Sequence, residues 1–286
     1  MMLKKIHITS PIVSTDWLQE HLHATNLVVL NGTIPRVTST NISEETQQIP
    51  KARFFDIKKK FSQEDALFPN TMVSVETFTK EAQKLGIHQD SAIVVYDEFG
   101  IYSSPRVWYM FRVMGFDNIA VLDGGFPTWK KAGYSLETKR TYIGEYGDFQ
   151  GKDSLYLFKN YKEMQQEVLN LDSLIIDARS ENRFTGKIPE PRAGLRSGQI
   201  PNSKNLPYTN VLRNYSFKNA EEIRAIFEKF SKSNPSFIFS CGSGITACIL
   251  ALAAEIAGYH NFSVYDGSWT EWGTLSTEIS MNTSNL

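Results

Sequence analysis

Two apolar runs without alternation, Ala92-Ile93-Val94-Val95-Tyr96 and Ser236-Phe237-Ile238-Phe239, read as strands buried on both faces. Each is preceded by a segment with helical spacing of apolar positions, Val75 to Leu85 in one case and Ala220 to Phe230 in the other. Each is followed by a short turn, a second helical pattern and a further apolar run, Ile119 to Leu122 and Phe262 to Tyr265. Strands alternating with helices predict an α/β fold with mainly parallel sheets flanked by helices. In such sheets the active groups gather at the C-terminal strand edges.

The two series are copies of one another. Asp97 stands 144 residues before Cys241 and Asp123 stands 143 before Asp266, and both Asp123 and Asp266 are followed by glycine and then by a tryptophan-bearing helix. Leu27 to Asn31 matches Leu174 to Asp177, and Ile49-Pro50-Lys51-Ala52 matches Ile200-Pro201-Asn202-Ser203. The chain is therefore a tandem duplication. The charged, glycine-containing stretch Thr138 to Asp148 follows neither period and marks the join. This predicts one domain over 1–140, a linker over 141–153 and a second domain over 154–286.

Length and composition agree with two soluble units. The chain has 286 residues, 41% hydrophobic and 21% charged, enough for a core in each half. A formal net charge of −1 argues against a large basic surface, so neither nucleic acid nor a membrane is expected as a partner. Lys4 and Lys5 are not followed by an apolar run of signal-peptide length, and no stretch is long enough to span a bilayer, so a cytoplasmic address is expected.

Chemistry concentrates at Phe237-Ile238-Phe239-Ser240-Cys241-Gly242-Ser243-Gly244-Ile245-Thr246-Ala247. A cysteine between a strand and a helix N-terminus faces unpaired backbone N–H groups, which with the helix dipole favour thiolate over thiol. The other cysteine, Cys248, would lie roughly 10 Å away along a helix, too far for a disulfide. It falls in an alanine- and leucine-rich run and reads as core. A Cys-x5-Arg phosphate clamp would need arginine where Ala247 stands, dithiol redox chemistry would need a nearer second thiol, and none of the five histidines lies in these motifs. What remains is a lone activated cysteine carrying sulfur as a persulfide. The first half has Asp97 in the equivalent slot, and a carboxylate cannot carry sulfur, so that half is expected to complete the cleft without a nucleophile of its own.

From about Pro11 to Trp272 the chain resembles the tandem-domain rhodanese-like sulfurtransferases. Cys241-Gly242-Ser243-Gly244-Ile245-Thr246-Ala247 is similar to the active loop of their 3-mercaptopyruvate branch. Arg53-Phe54-Phe55-Asp56-Ile57, Ser104-Pro105-Arg106-Val107-Trp108, Asp177-Ala178-Arg179 and Arg183 through Arg192 carry the resemblance further. It implies attack of Cys241 on the sulfur of 3-mercaptopyruvate, release of pyruvate, and transfer of the persulfide sulfur to a small thiol, thioredoxin or cyanide, without metal or organic cofactor. It further implies that Arg183 and Arg192 bind the substrate carboxylate, that Gly242, Gly244, Ile245 and Thr246 line the donor site, and that Ser243 helps protonate the departing enolate. Ser243 and Asp56 match two members of a Ser-His-Asp arrangement whose histidine position is Ala66 here, and Gln199 stands in the usual Gly-His-Ile-Pro stretch. Thiosulfate as donor, and a non-catalytic persulfide carrier, are the alternative readings. The thiosulfate branch typically has basic residues where this loop has Gly242 and Ser243.

Overall fold

The computed structural model describes residues 4–36, 45–152, 154–231 and 235–276; the outer ends of both expected domains, and Asp153 at the end of the expected linker, lie outside them. Two five-stranded sheets form the frame. In the first the order is Ile12–Val13, Ile119–Leu122, Ala92–Tyr96, Leu27–Asn31, Arg53–Phe54. In the second it is Phe158–Lys159, Phe262–Tyr265, Phe237–Ser240, Leu174–Asp177, Lys204–Asn205, the same path strand for strand. All of these pairings are parallel, and the central registers correspond, with Asn31 opposite Tyr96 and Asp177 opposite Ser240.

The expected helices form at Val75–Lys84 and Ala220–Phe227. The first starts where the Ser74 hydroxyl accepts from Thr77 N–H at 3.2 Å, and the second at a reciprocal cap between Asn219 and Glu222. The second ends earlier than its periodicity suggests, because Phe230 turns back to donate its N–H to the Phe227 carbonyl. The central strand of the second half covers Phe237–Ser240, one residue later than the apolar run predicts.

Ser104–Val113 and Ala247–Ile256, the helices leaving the two central strands, pack against each other across the duplication. This explains why Ala247 through Ala254 are apolar all round. One side lies on its own sheet, another meets the partner helix, and none is left for water. The core is accordingly continuous between the halves, from Val95 and Phe111 to Phe239 and Leu250.

The aspartates ending the equivalent edgeward strands reinforce that interface reciprocally. Asp266 accepts from Met72 N–H at 3.0 Å, and Asp123 accepts from Phe217 N–H at 2.9 Å. The linker is no loose tether over its described residues. Gly147 and Phe149 donate their N–H groups to the carbonyls of Gln83 and Ile87, and the buried Phe149 ring sits among Phe78, Phe111 and Phe116. No helix among the described residues is long and apolar enough to cross a membrane.

Candidate active site

Cys241 follows the last residue of its central strand and is 2% exposed. From Cys241 to Thr246 the chain forms a loop before its helix begins at Ala247. Gly244 takes the left-handed conformation (φ +75°), and a Cβ there would lie 2.7 Å from the Asp266 carbonyl oxygen, so only glycine fits. The loop is closed from behind by Ser268, whose hydroxyl oxygen accepts from Cys241 N–H at 3.0 Å and Gly244 N–H at 3.1 Å and lies 3.8 Å from the Cys241 sulfur. The N–H groups of Gly242, Ser243, Ile245, Thr246 and Ala247 have no protein acceptor among the described residues.

What these N–H groups are suited to is visible in the first half. Its helix begins one residue later, at Ser104, and Gly100 (φ +98°) stands where Gly244 does. There the Asp97 carboxylate turns into its own loop and accepts from the N–H groups of Phe99, Tyr102, Ser103 and Ser104 at 2.9–3.0 Å and from the Ser104 hydroxyl at 2.7 Å. Phe99, Tyr102 and Ser103 are the counterparts of Ser243, Thr246 and Ala247. The fold element is an anion cradle. In one half a carboxylate fills it, and in the other it surrounds a thiol able to become an anion.

Above Cys241 opens a cavity of about 270 Å³ formed by both halves. The second half contributes Cys241, Gly242, Ser243, Ile245, Thr246, Arg183 and Arg192, and the first contributes Arg36, Lys58 and Asn70. Arg192 donates to the Ser243 hydroxyl oxygen at 2.9 Å. Burial pulls the Arg192 pKa down, and the charge of a Cys241 thiolate is the largest influence holding it up, so the two groups are electrostatically coupled. Arg183 is gripped by the fully buried Glu190 (2.6 Å), which also pairs with the buried Arg179 at 2.9 Å; Arg179 in turn holds Asp177 at 2.7 Å. A Cβ on Gly242 would lie 2.9 Å from the Arg183 guanidinium. The arginines thus occupy the space that a side chain at 242 would need, and supply the positive charge from outside the loop.

Asn70 donates to both the Ser243 carbonyl (2.9 Å) and its hydroxyl oxygen (3.0 Å). With Arg192 and Asn70 both donating to it, the Ser243 oxygen has both lone pairs engaged and can act further only as a hydrogen-bond donor. Asp56 is not part of this arrangement. Its carboxylate accepts from Lys59 N–H at 3.0 Å, closing a turn, and it lines a separate cavity of about 580 Å³ with Lys60, Glu98 and Arg140. The chain turns at Asp56 so that residues 58 and 70, not 56, reach the cleft. The structure therefore brings together Cys241, Ser243, Arg183, Arg192 and the loop residues Gly242, Gly244, Ile245 and Thr246, and leaves Asp56 out.

Four supporting residues escaped the sequence reading of the site. Asn70 and Lys58 lie in polar stretches without a pattern, and Ser268 is the first residue of the helix Ser268–Leu275. Arg106 lay within a recognised motif, but its partners were not legible: it is fully buried, ion-paired with Asp266 at 2.6 Å, and donates to the carbonyls of Asn70 (2.8 Å) and Gly244 (3.3 Å). Cys248 is buried as expected, its thiol donating to the Gly244 carbonyl at 3.2 Å; burial pushes its pKa up to about 12.

A doubled α/β unit with an anion cradle at one sheet edge defines the class. The rhodanese-like domain matches this chain twice, over residues 14–132 and 159–275, and the chain belongs to that family. It is 34% identical over 271 residues to the 3-mercaptopyruvate sulfurtransferase of Escherichia coli K12, covering 93% of this chain and 95% of that one. It is 37% identical over 275 residues to the thiosulfate sulfurtransferase of Rattus norvegicus, covering 91% of each. The crystal structure of the E. coli 3-mercaptopyruvate sulfotransferase SseA superposes with a TM-score of 0.81 at 31% identity, covering 91% of this chain and 99% of that one.

Proposed function

We propose that the protein is a sulfurtransferase in which the Cys241 thiolate takes sulfur from 3-mercaptopyruvate, releases pyruvate and passes the sulfur to a thiol or to cyanide. The observation carrying this reading is the cradle itself, whose twin holds the Asp97 carboxylate with five hydrogen bonds. Three of the corresponding N–H groups, those of Ser243, Thr246 and Ala247, have no protein acceptor among the described residues and can take up the charge of a thiolate and then of a persulfide anion, whereas the counterparts of the other two donors, the Cys248 N–H and thiol, are given to the carbonyls of Ile245 and Gly244. Neutral Gly242 and Ser243 leave room for a small donor beside the sulfur, and Arg183 and Arg192 offer planar donors for its carboxylate.

Thiosulfate is the second reading. It is favoured by the number of cations around the cavity, Arg36, Lys58, Arg183 and Arg192, which suits a dianion, and by Ala66 where a histidine is expected. Thioredoxin or a small thiol is the proposed acceptor, since a persulfide is discharged by thiolate attack. A cytoplasmic location is proposed with it; both cysteines are free thiols, in keeping with a reducing compartment.

Mass spectrometry of the intact protein after incubation with donor tests the core of the reading. A gain of one sulfur, about 32 Da, is expected on the unmodified chain and on Cys248→Ser but not on Cys241→Ser. A gain that survives in Cys241→Ser would overturn it. Steady-state rates on both donors then decide between them.

A further inference from the structure

We propose that Lys58, contributed by the nucleophile-free half and held by Asn70, is the acid that protonates the carbanion left when sulfur departs from 3-mercaptopyruvate. The inference rests on the donor reading above.

As the Cys241 thiolate bonds to the donor sulfur, the C–S bond breaks and its electron pair stays on C3 as the enolate of pyruvate. One proton from the Lys58 ammonium converts this to pyruvate, leaving a persulfide on Cys241 and a neutral amine that solvent reprotonates. Atoms and charge balance without an oxidant or reductant. A thiosulfate donor departs as sulfite and needs no such proton.

The cavity offers few sources for it. Arg36, Arg179, Arg183 and Arg192 keep their protons under all relevant conditions. Ser243 has both lone pairs engaged and no base beside it to restore a proton it has lost. Tyr102 and Tyr208 also face the cavity, but a neutral phenol does not offset the charge that grows on the enolate before transfer. Among the described residues lining the cavity, Lys58 alone is a cation whose proton can be released, since every other cation there is an arginine.

Its placement is built rather than incidental. The ammonium donates to Asn70 Oδ1 at 2.8 Å, which leaves two further N–H bonds for other acceptors. Asn70 is buried and left-handed (φ +67°); its side-chain oxygen accepts from Lys58 and its side-chain nitrogen donates to Ser243, so both polar groups of the side chain hold the lysine to the loop, while its backbone carbonyl accepts from Arg106 at 2.8 Å. Burial, and then the charges of Arg192 and Arg106, lower the Lys58 pKa from its ordinary value. Arg36, Arg183 and Cys241 face the same cavity from the other elements around it.

The test compares Lys58→Met and Lys58→Arg with the unmodified full-length protein, each checked by thermal melt. Pyruvate release from 3-mercaptopyruvate and sulfur transfer from thiosulfate are measured across pH at saturating donor. Lys58→Met is expected to lose about 100-fold in kcat with 3-mercaptopyruvate, the usual worth of a general acid, whereas with thiosulfate the lost cation should raise KM while kcat falls at least ten times less than it does with 3-mercaptopyruvate. The unmodified enzyme should lose pyruvate release as pH rises through the lysine pKa, and that basic limb should vanish in Lys58→Met. Lys58→Arg should keep KM near the unmodified value while kcat stays low. Full kcat in Lys58→Arg, or an unchanged basic limb in Lys58→Met, would overturn the assignment. Failure of the unmodified protein to release pyruvate while Cys241 still gains sulfur from thiosulfate would remove the donor reading and the role of Lys58 with it.

Discussion

Ser268 is the residue on which the shape of the sulfur loop most directly depends, and replacing it gives the sharpest stability test. It is fully buried and left-handed (φ +51°), a conformation that its counterpart in the first half, Gly125 (φ +54°), reaches without a side chain. The hydroxyl is what the strained backbone holds in place: its oxygen accepts two buried N–H groups, from Cys241 and Gly244, while its proton is given to the Tyr265 carbonyl at 2.9 Å. Ser268→Ala orphans both donors, each worth about 1 to 3 kcal/mol when left unpaired, so a loss of roughly 2 to 6 kcal/mol is expected. Ser268→Gly loses the same oxygen but relieves a left-handed conformation that disfavours L side chains by about 1 to 2 kcal/mol. The glycine variant should therefore be the more stable of the two by about 1 kcal/mol. Urea unfolding followed by tryptophan fluorescence measures both, with buried Trp269 as the adjacent reporter. An alanine variant within about 0.5 kcal/mol of the unmodified protein would refute the reasoning. So would a glycine variant less stable than the alanine one.

Asp97→Ala should destabilise the first half by several kcal/mol, about 1 kcal/mol or more for each of the donors it orphans, yet leave sulfur transfer per folded molecule near normal; a loss of activity like that of Cys241→Ser in a folded protein would disprove the silence of that half. Arg192→Ala removes a charge-assisted bond to Ser243 and a cation coupled to the Cys241 thiolate, so kcat/KM with 3-mercaptopyruvate should fall by roughly ten- to a hundredfold, from 1.5 to 3 kcal/mol. The fall with thiosulfate should be smaller, and equal losses on both donors would mean the arginine serves only the thiolate. In native Cys241→Ser, Cys248 should resist alkylation at pH 8: its raised pKa, about 12, keeps the thiol neutral at every lower pH, and labelling should appear only on unfolding.

Much of this molecule was legible without a structure. The unbroken apolar runs announce strands covered on both faces, the repeated spacing announces two copies of one unit, and glycines on either side of Ser243 announce a loop wrapped around an anion. Each of these signals is local, because period, turn chemistry and residue type act over a few neighbours in the chain. The join between the halves was placed by its lack of either period; its packing of Phe149 into the first core was not visible, because a single aromatic in a polar stretch carries no period.

The composition of the cleft was decided by tertiary structure. Asp56 matched a motif but turns toward another cavity, while Asn70, 173 residues from Ser243 in sequence, reaches its hydroxyl. Arg106 and Asp266 form their buried pair across 160 residues, and Lys58 enters the cavity from the half that has no nucleophile. The physical reason is that these contacts exist only because two helices, Ser104–Val113 and Ala247–Ile256, bury their apolar faces against each other. That packing sets the distance and rotation between two sheets that the sequence could specify only one at a time.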